Sequence, residues 1–333
     1  MDRRRLLAFI LLAFSAILII GTPLWLLTPL GANVLSIGQP DLNGPPLTPI
    51  AFKPLPRATP QAILTIQGKP GELEASQAIL LDSDTGNILY EKNAENPVPM
   101  ASTTKIMTAL IAIEAGNLDQ TVTIGQDAID NAVLNNGSRA NLIVGDQMKL
   151  KDLIYGLLLP SGDDAAVAIA DAVAGSVDNF VTIMNVEAEK LHLFQTHYFN
   201  SDGLQPTDAQ GNDITGVHYS TAYDLVRLAR YAMRVPLFAQ IVSTKQYNLP
   251  ATGAHHAYQW STTNKLLGTY DGMLGIKTGF TPEAGECLVF AAKRNNHTLI
   301  GVVLHSPTED SRFQDAKTLL NWGFSLPMRV PQI

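Results

Sequence analysis

Strand-like sequence stands at both ends of this chain's folded part and helical sequence fills the middle, so its sheet has to be assembled from segments far apart in the chain. The first strands are read from "QAILLDSDTGNILYEKN", where two apolar runs flank the hairpin signature Asp84-Thr85-Gly86-Asn87. Helical periodicity follows. Thr103 to Ala115 repeats Ile106, Met107, Leu110, Ile111 and Ile113 and meets Gly116, where a left-handed cap is expected. From about Gly125 to Val235 the pattern stays mainly helical, clearest in "DAAVAIADAVAG" and "STAYDLVRLARYAM", the second with Ser220 or Thr221 as its N-cap. After Tyr270 the segments "MLGIKTGF", "ECLVFAAKR" and "TLIGVVLHS" read as three strands joined by short turns at Pro282 to Gly285 and at Asn295-Asn296. Ser311 to Trp322 closes the chain as an amphipathic helix. The pattern is α+β, and it shows no repeat at a solenoid period.

Ahead of this part the chain is of another kind. Arg3, Arg4 and Arg5 precede an uncharged run from Leu6 to Leu27, long enough as a helix to cross a bilayer core of about 30 Å. Positive charge on the leading side holds that end in the cytoplasm and sends the remainder out. Residues 1–30 are therefore read as a transmembrane anchor or a signal segment; without an Ala-x-Ala cleavage site the anchor is the expectation. Prolines at 40, 45, 46, 49, 54, 56 and 60 make the following stretch extended and semi-rigid. It is read as a linker at 31–74, before a domain at 75–325 and a tail at 326–333.

With 46% apolar residues and a net charge of -7, the chain has ample material for a core and no basic stripe for a nucleic acid. Its single cysteine, Cys287, excludes an intrachain disulfide and lies in an apolar run as a buried strand residue would.

The chemistry concentrates in "ASTTKIM". Ser102 and Lys105 stand three apart, so on a helix they share a face and come within hydrogen-bond reach. A serine hydroxyl needs a base to become a nucleophile, and an amine with a reference pKa of about 10.4 serves only if burial or a second cation favours its neutral form. A second cation is therefore required. A serine at a helix start also faces free backbone N–H groups that stabilise an oxyanion. Alone the spacing is weak, because about one Ser-x-x-Lys is expected by chance in a chain of this length. A helix cap and a solvated charge would explain it. Two other stretches outweigh that reading: "LLLPSGDDAA" sets Ser161 and Asp163 on a polar turn between apolar segments, and "GIKTGF" sets Lys277, Thr278 and Gly279 near a strand end, with a glycine where a substrate backbone would approach.

In this order the three motifs resemble those of the penicillin-recognising serine enzymes. The segments "PMASTTKIMTAL", "GLLLPSGDDAA", "NSDGL", "TNKLLGTY", "GIKTGFTPEAGECLV" and "LLNWGF" are similar to the D-alanyl-D-alanine carboxypeptidases, low-molecular-mass penicillin-binding proteins, over about Ala75 to Phe324. The resemblance implies a β-lactamase/transpeptidase-like fold, an antiparallel sheet flanked by helices with an inserted all-helical subdomain. It implies a serine carboxypeptidase that trims D-alanine from peptidoglycan stem pentapeptides ending in D-Ala-D-Ala, with β-lactam antibiotics as covalent inhibitors and neither metal nor cofactor. In that family's terms Ser102 is the acylated nucleophile, Lys105 its base, and Ser161 the relay to the departing D-alanine. Lys277 supplies the positive field, Thr278 binds the substrate carboxylate beside Gly279, and the N–H groups of Ser102 and Phe280 form the oxyanion hole. Arg312 stands where the family has an arginine assisting carboxylate recognition.

The chain departs from the family pattern at Asp163, where asparagine is usual: an ionised carboxylate only accepts hydrogen bonds and favours a charged Lys105. Relatives often add a β domain and an amphipathic anchoring helix after this point, so here the N-terminal segment is expected to tether a single-pass protein with its catalytic domain outside the membrane. A β-lactamase would need a placed carboxylate after the second motif, and no Glu-x-x-Leu-Asn lies between Ser161 and Lys277. Endopeptidase action on crosslinked peptides, or a catalytically silent peptidoglycan-binding module, would fit the same residues. His255-His256, and His192 with His197, lack zinc spacing and carboxylate partners, while Glu187 and Glu189 are read as solvated helix residues.

Overall fold

The computed structural model describes residues 63–329 apart from 116, 209 and 296. The expected anchor, most of the linker, the cap at Gly116 and the end of the tail lie outside the described residues. In chain order the first half contains β1 (Ile63–Leu64), β2 (Gln77–Asp82), β3 (Ile88–Lys92), a 3-10 turn (Ala101–Thr104), α1 (Lys105–Glu114), β4 (Thr121–Thr123), α2 (Gln126–Leu134), β5 (Gln147–Lys149), α3 (Leu150–Leu158), α4 (Asp163–Ala174) and α5 (Val177–Lys190). The second half contains α6 (Ala222–Ala232), α7 (Pro236–Val242), β6 (Gln246–Leu249), β7 (Tyr258–Ser261), β8 (Met273–Thr281), β9 (Gly285–Arg294), β10 (His297–Ser306), α8 (Glu309–Ser325) and β11 (Met328–Arg329).

The main sheet runs β3-β2-β10-β9-β8 with every pairing antiparallel, so the N-terminal hairpin joins the C-terminal meander along β2 and β10. Both faces are covered. Alternation along β2 sends Ala78 and Leu80 to one face, with Phe290, Leu299, Phe313, Leu319 and Leu320, and Ile79 and Leu81 to the other, with the helices. A sheet buried on both sides explains why its strands read as continuous apolar runs. The helix α8 seals the first face, started by a capping box between Thr308 and Ser311.

In the core on the other side, where α6 and α7 meet the strands, lies α1, enclosed by helices α3 to α7 and apolar nearly all round, with Ile106, Met107, Ala109, Leu110, Ile111 and Ala112 buried. Such a helix sits at the centre of a core, and it carries Lys105 in with it. The expected long helical region is instead interrupted: the described residues of 191–221 form no helix, because "NSDGLQPTDAQGNDITG" is rich in turn formers and its backbone pairs locally, as at Thr207 with Asp213. Thr221 caps α6 by accepting from Asp224 N–H. The ladder joining Ile63–Leu64 to Met328–Arg329 lies outside the expected 75–325 span, since strands of two residues carry no periodicity to read.

Candidate active site

Three elements converge on Ser102. The 3-10 turn carries it, with Ala101 before it held at φ 47, and its side chain caps neither that turn nor α1. The bland reading of Ser102 as a helix cap is therefore excluded. From α1 the Lys105 Nζ reaches back to donate to Ser102 Oγ at 2.8 Å, to Asp163 Oδ1 at 2.5 Å and to the Asp202 carbonyl at 2.6 Å. Three oxygen atoms thus surround Nζ, as many as the three N–H groups of an ammonium can satisfy.

The second element is the turn between α3 and α4. Ser161 adopts φ 67, and Asp163 opens α4 with its N–H donating to the Ser138 carbonyl at 2.8 Å. The third is β8, the edge strand of the main sheet. Its Lys277 Nζ donates to Ser161 Oγ at 2.8 Å and to the Thr278 carbonyl at 2.9 Å, while the Thr278 and Thr263 hydroxyls meet at 2.6 Å. Gly279 makes the approach possible: a Cβ there would stand 3.1 Å from Ser102 N and 3.2 Å from the Met100 carbonyl oxygen.

The resulting cleft of ≈ 260 Å³ is lined by Ser102, Ser161, Asp163, Thr263, Thr278, Gly279, Phe280 and Arg312, with Asn136, Gly137 and Ser138 beside Asp163. Lys105 and Lys277 are buried behind its wall, and the Phe280 ring is exposed at its edge. Burial, then the Lys105 ammonium, holds Lys277 well below the usual lysine range. Burial lifts the Asp163 carboxyl to about 6 against the opposing pull of Lys105.

The expected site residues thus gather at one cleft, with Lys105 and Lys277 behind its wall, but Arg312 is not a free guanidinium. It donates to the Gly279 carbonyl at 3.1 Å and pairs with Glu286 and Glu309, so two carboxylates already share its charge. Sequence reasoning missed Asp202, Thr263, Glu286 and His218. His218 lies outside any motif; its Nδ1 accepts from Phe199 N–H at 3.0 Å and its Nε2 stands 2.7 Å from Thr104 Oγ1, which donates to the Ala101 carbonyl. A proton on Nε2 satisfies all three groups. Elsewhere two expectations fail. Glu187 is buried and paired with Lys190 at 2.6 Å, and His256 has a carboxylate partner, Asp146, at 2.9 Å. In both cases the partner is set by tertiary packing or by helix position, neither of which hydropathy reveals. Cys287 is buried, its thiol pushed up to about 11.

The chain has close relatives among known proteins. It is 41% identical over 281 residues to a D-alanyl-D-alanine carboxypeptidase of Streptomyces sp. strain K15, covering 81% of this chain and 92% of that one. It is 36% identical to D-alanyl-D-alanine carboxypeptidase DacD of Escherichia coli, covering 77% of this chain but only 64% of the relative's length. The crystal structure of the Streptomyces K15 DD-transpeptidase superposes with a TM-score of 0.71 at 40% identity, over 78% of this chain and all of that one. A family model described as D-alanyl-D-alanine carboxypeptidase matches residues 64–308, spanning the three segments that build the cleft, and the chain belongs to that family.

Proposed function

We propose that the chain is a serine D-alanyl-D-alanine carboxypeptidase that removes the terminal D-alanine from peptidoglycan stem peptides through an acyl-enzyme. The observation that carries this is the 2.8 Å contact between Ser102 Oγ and Lys105 Nζ, with Lys277 and Ser161 paired across the same cleft. Ser102 Oγ attacks the carbonyl carbon of the penultimate D-alanine and Lys105 takes its proton. The N–H groups of Ser102 and Phe280 receive the oxyanion. Ser161 passes its hydroxyl proton to the departing nitrogen and is refilled by Lys277, whose lowered proton affinity suits it to donate. Thr278 and Thr263 offer hydroxyls to the terminal carboxylate within the field of Lys277, and Arg312 holds the Gly279 carbonyl. Water then releases the acyl group. A β-lactam presents the same carbonyl and acylates Ser102 in the same way.

The apolar run at 6–27 behind three arginines makes the enzyme a membrane-tethered one with its cleft outside the cell. A second reading, transfer of the acyl group to an amine instead of water, is supported by the likeness to the Streptomyces K15 protein, a DD-transpeptidase.

Fluorescent penicillin is expected to label the wild-type chain and not Ser102→Ala, and a stem pentapeptide to yield free D-alanine. Added glycine would divert the acyl group to a new peptide bond only under the second reading. Absence of a label that depends on Ser102 would end both.

A further inference from the structure

The resting contacts of Lys105 pose a problem for its work as a base. Beside the Asp163 carboxylate, a Lys105 in its charged form spends its three N–H groups on Ser102, Asp163 and Asp202 and has no lone pair for the serine proton. One of its own protons must leave first. The side chain is fully buried, which leaves its three acceptors as destinations. A hydroxyl and a peptide carbonyl are too weakly basic, and Asp163 is the carboxylate.

We propose that Asp163 is the proton store of the cleft: it takes a proton from Lys105 across their 2.5 Å contact, leaving an amine that receives the Ser102 proton during attack. The inference rests on the reading of Ser102 and Lys105 given above. In the step the Lys105 N–H bond breaks and the Asp163 O–H bond forms. The Ser102 O–H bond then breaks toward the Lys105 nitrogen as Oγ bonds to the carbonyl carbon, and the carbonyl π pair moves to oxygen. Two protons move within the cleft and none enters or leaves. The negative charge that starts on Asp163 ends on the oxyanion, so the buried site never carries an added net charge.

The surroundings of Asp163 fit the task. Lys105 from α1 and Lys277 from β8 favour its charged form, whereas burial and the Asp202 carboxylate from the 200–204 turn favour the neutral one. Burial outweighs the lysines and brings the carboxyl to about 6, near enough to neutral pH for a proton to be both accepted and returned. The neighbouring Asp164 takes no part, since its carboxylate accepts the N–H groups of Ala140 and Leu142. An asparagine at this position could orient Lys105 but could not hold its proton.

The test is the pH profile of Ser102 acylation by a fluorescent penicillin, in the full chain and in Asp163→Asn. Wild-type acylation is expected to fall about tenfold per pH unit below the carboxyl's value of about 6, where a second proton fills the pair. In Asp163→Asn the plateau drops about tenfold or more and the break moves by at least about one pH unit. An unmoved break in the variant, or no break in the wild type between about pH 5 and 7, overturns the proposal. Should Asp163→Asn fail to fold by circular dichroism, Asp163→Ser carries the same comparison. A wild type that is not labelled at Ser102 at any pH overturns the underlying reading; a labelled one whose profile ignores Asp163 overturns the proton store alone.

Discussion

His218, bonded to Thr104 of the 3-10 turn, and Asp163, bonded to Lys105, act oppositely on acid stability. Burial pushes the imidazole down to about 3 from its usual 6.5, so between those values the unfolded chain holds a proton there that the fold does not, and stability falls as pH falls. Asp163, raised from 3.8 to about 6, binds its proton in the folded state first and gives the reverse slope between those values. His218→Gln keeps a donor for Thr104 and removes only the first effect. Urea unfolding of both proteins is therefore expected to show the native histidine's advantage over glutamine shrinking by about 2 kcal/mol between about pH 7 and pH 5. A constant gap would mean His218 titrates normally in the fold. Single residues of this kind were the least legible in the sequence. Ser102, Lys105, Ser161 and Lys277 announced themselves by spacing and context, whereas His218 and Glu286 gain their partners across 114 and 26 positions of chain, a separation no local pattern carries.

At the level of elements, the edge strand β8 is pressed against the 3-10 turn, and Gly279 sets their separation. A methyl group there would meet Ser102 N at 3.1 Å and the Met100 carbonyl oxygen at 3.2 Å, both main-chain atoms, so one backbone must yield to the other. Gly279→Ala is expected to slow acylation of Ser102 about tenfold or more, equivalent to about 1.4 kcal/mol in the barrier, with little change in melting temperature. Stopped-flow acylation beside a thermal melt checks it; an unchanged rate would show that the turn has slack. The strands themselves were readable because β8, β9 and β10 are long apolar runs bounded by turn residues. The ribbons β4 with β5 and β6 with β7 were not, since three or four residues of alternating exposure, as in Thr121–Thr123, do not stand out from loop. Helix α1 was legible as a helix but not as preceded by a 3-10 turn, where the Thr103 and Thr104 hydroxyls donate to the Met100 and Ala101 carbonyls and the backbone closely approaches Gly279 of β8 and Gly203 of the 200–204 turn.

Across the whole molecule, the sheet order makes the fold depend on both ends of the described chain: β2 pairs with β10, and the ladder of Ile63–Leu64 with Met328–Arg329 brings them together again. The N-terminal side of the domain is thereby fixed to the face that α8 covers, and in the sequence the apolar run at 6–27 and the proline-dense stretch from Gln39 to Pro60 precede it. Among the described residues no single helix is long and apolar enough to cross a membrane, and the tether proposed above is that run. As a helix the run would extend about 33 Å, against a hydrocarbon core of about 30 Å. Expressed in a bacterial host, the full chain is expected in the membrane pellet after both high salt and alkaline carbonate, treatments that strip charge-bound and peripheral proteins but not a spanning helix. On the proposed orientation, with Arg3, Arg4 and Arg5 on the cytoplasmic side, its penicillin label should be reachable from outside intact cells or spheroplasts. A labelled protein in the soluble fraction, with an N-terminus found by sequencing to lie beyond Leu27, would instead establish the run as a removed signal.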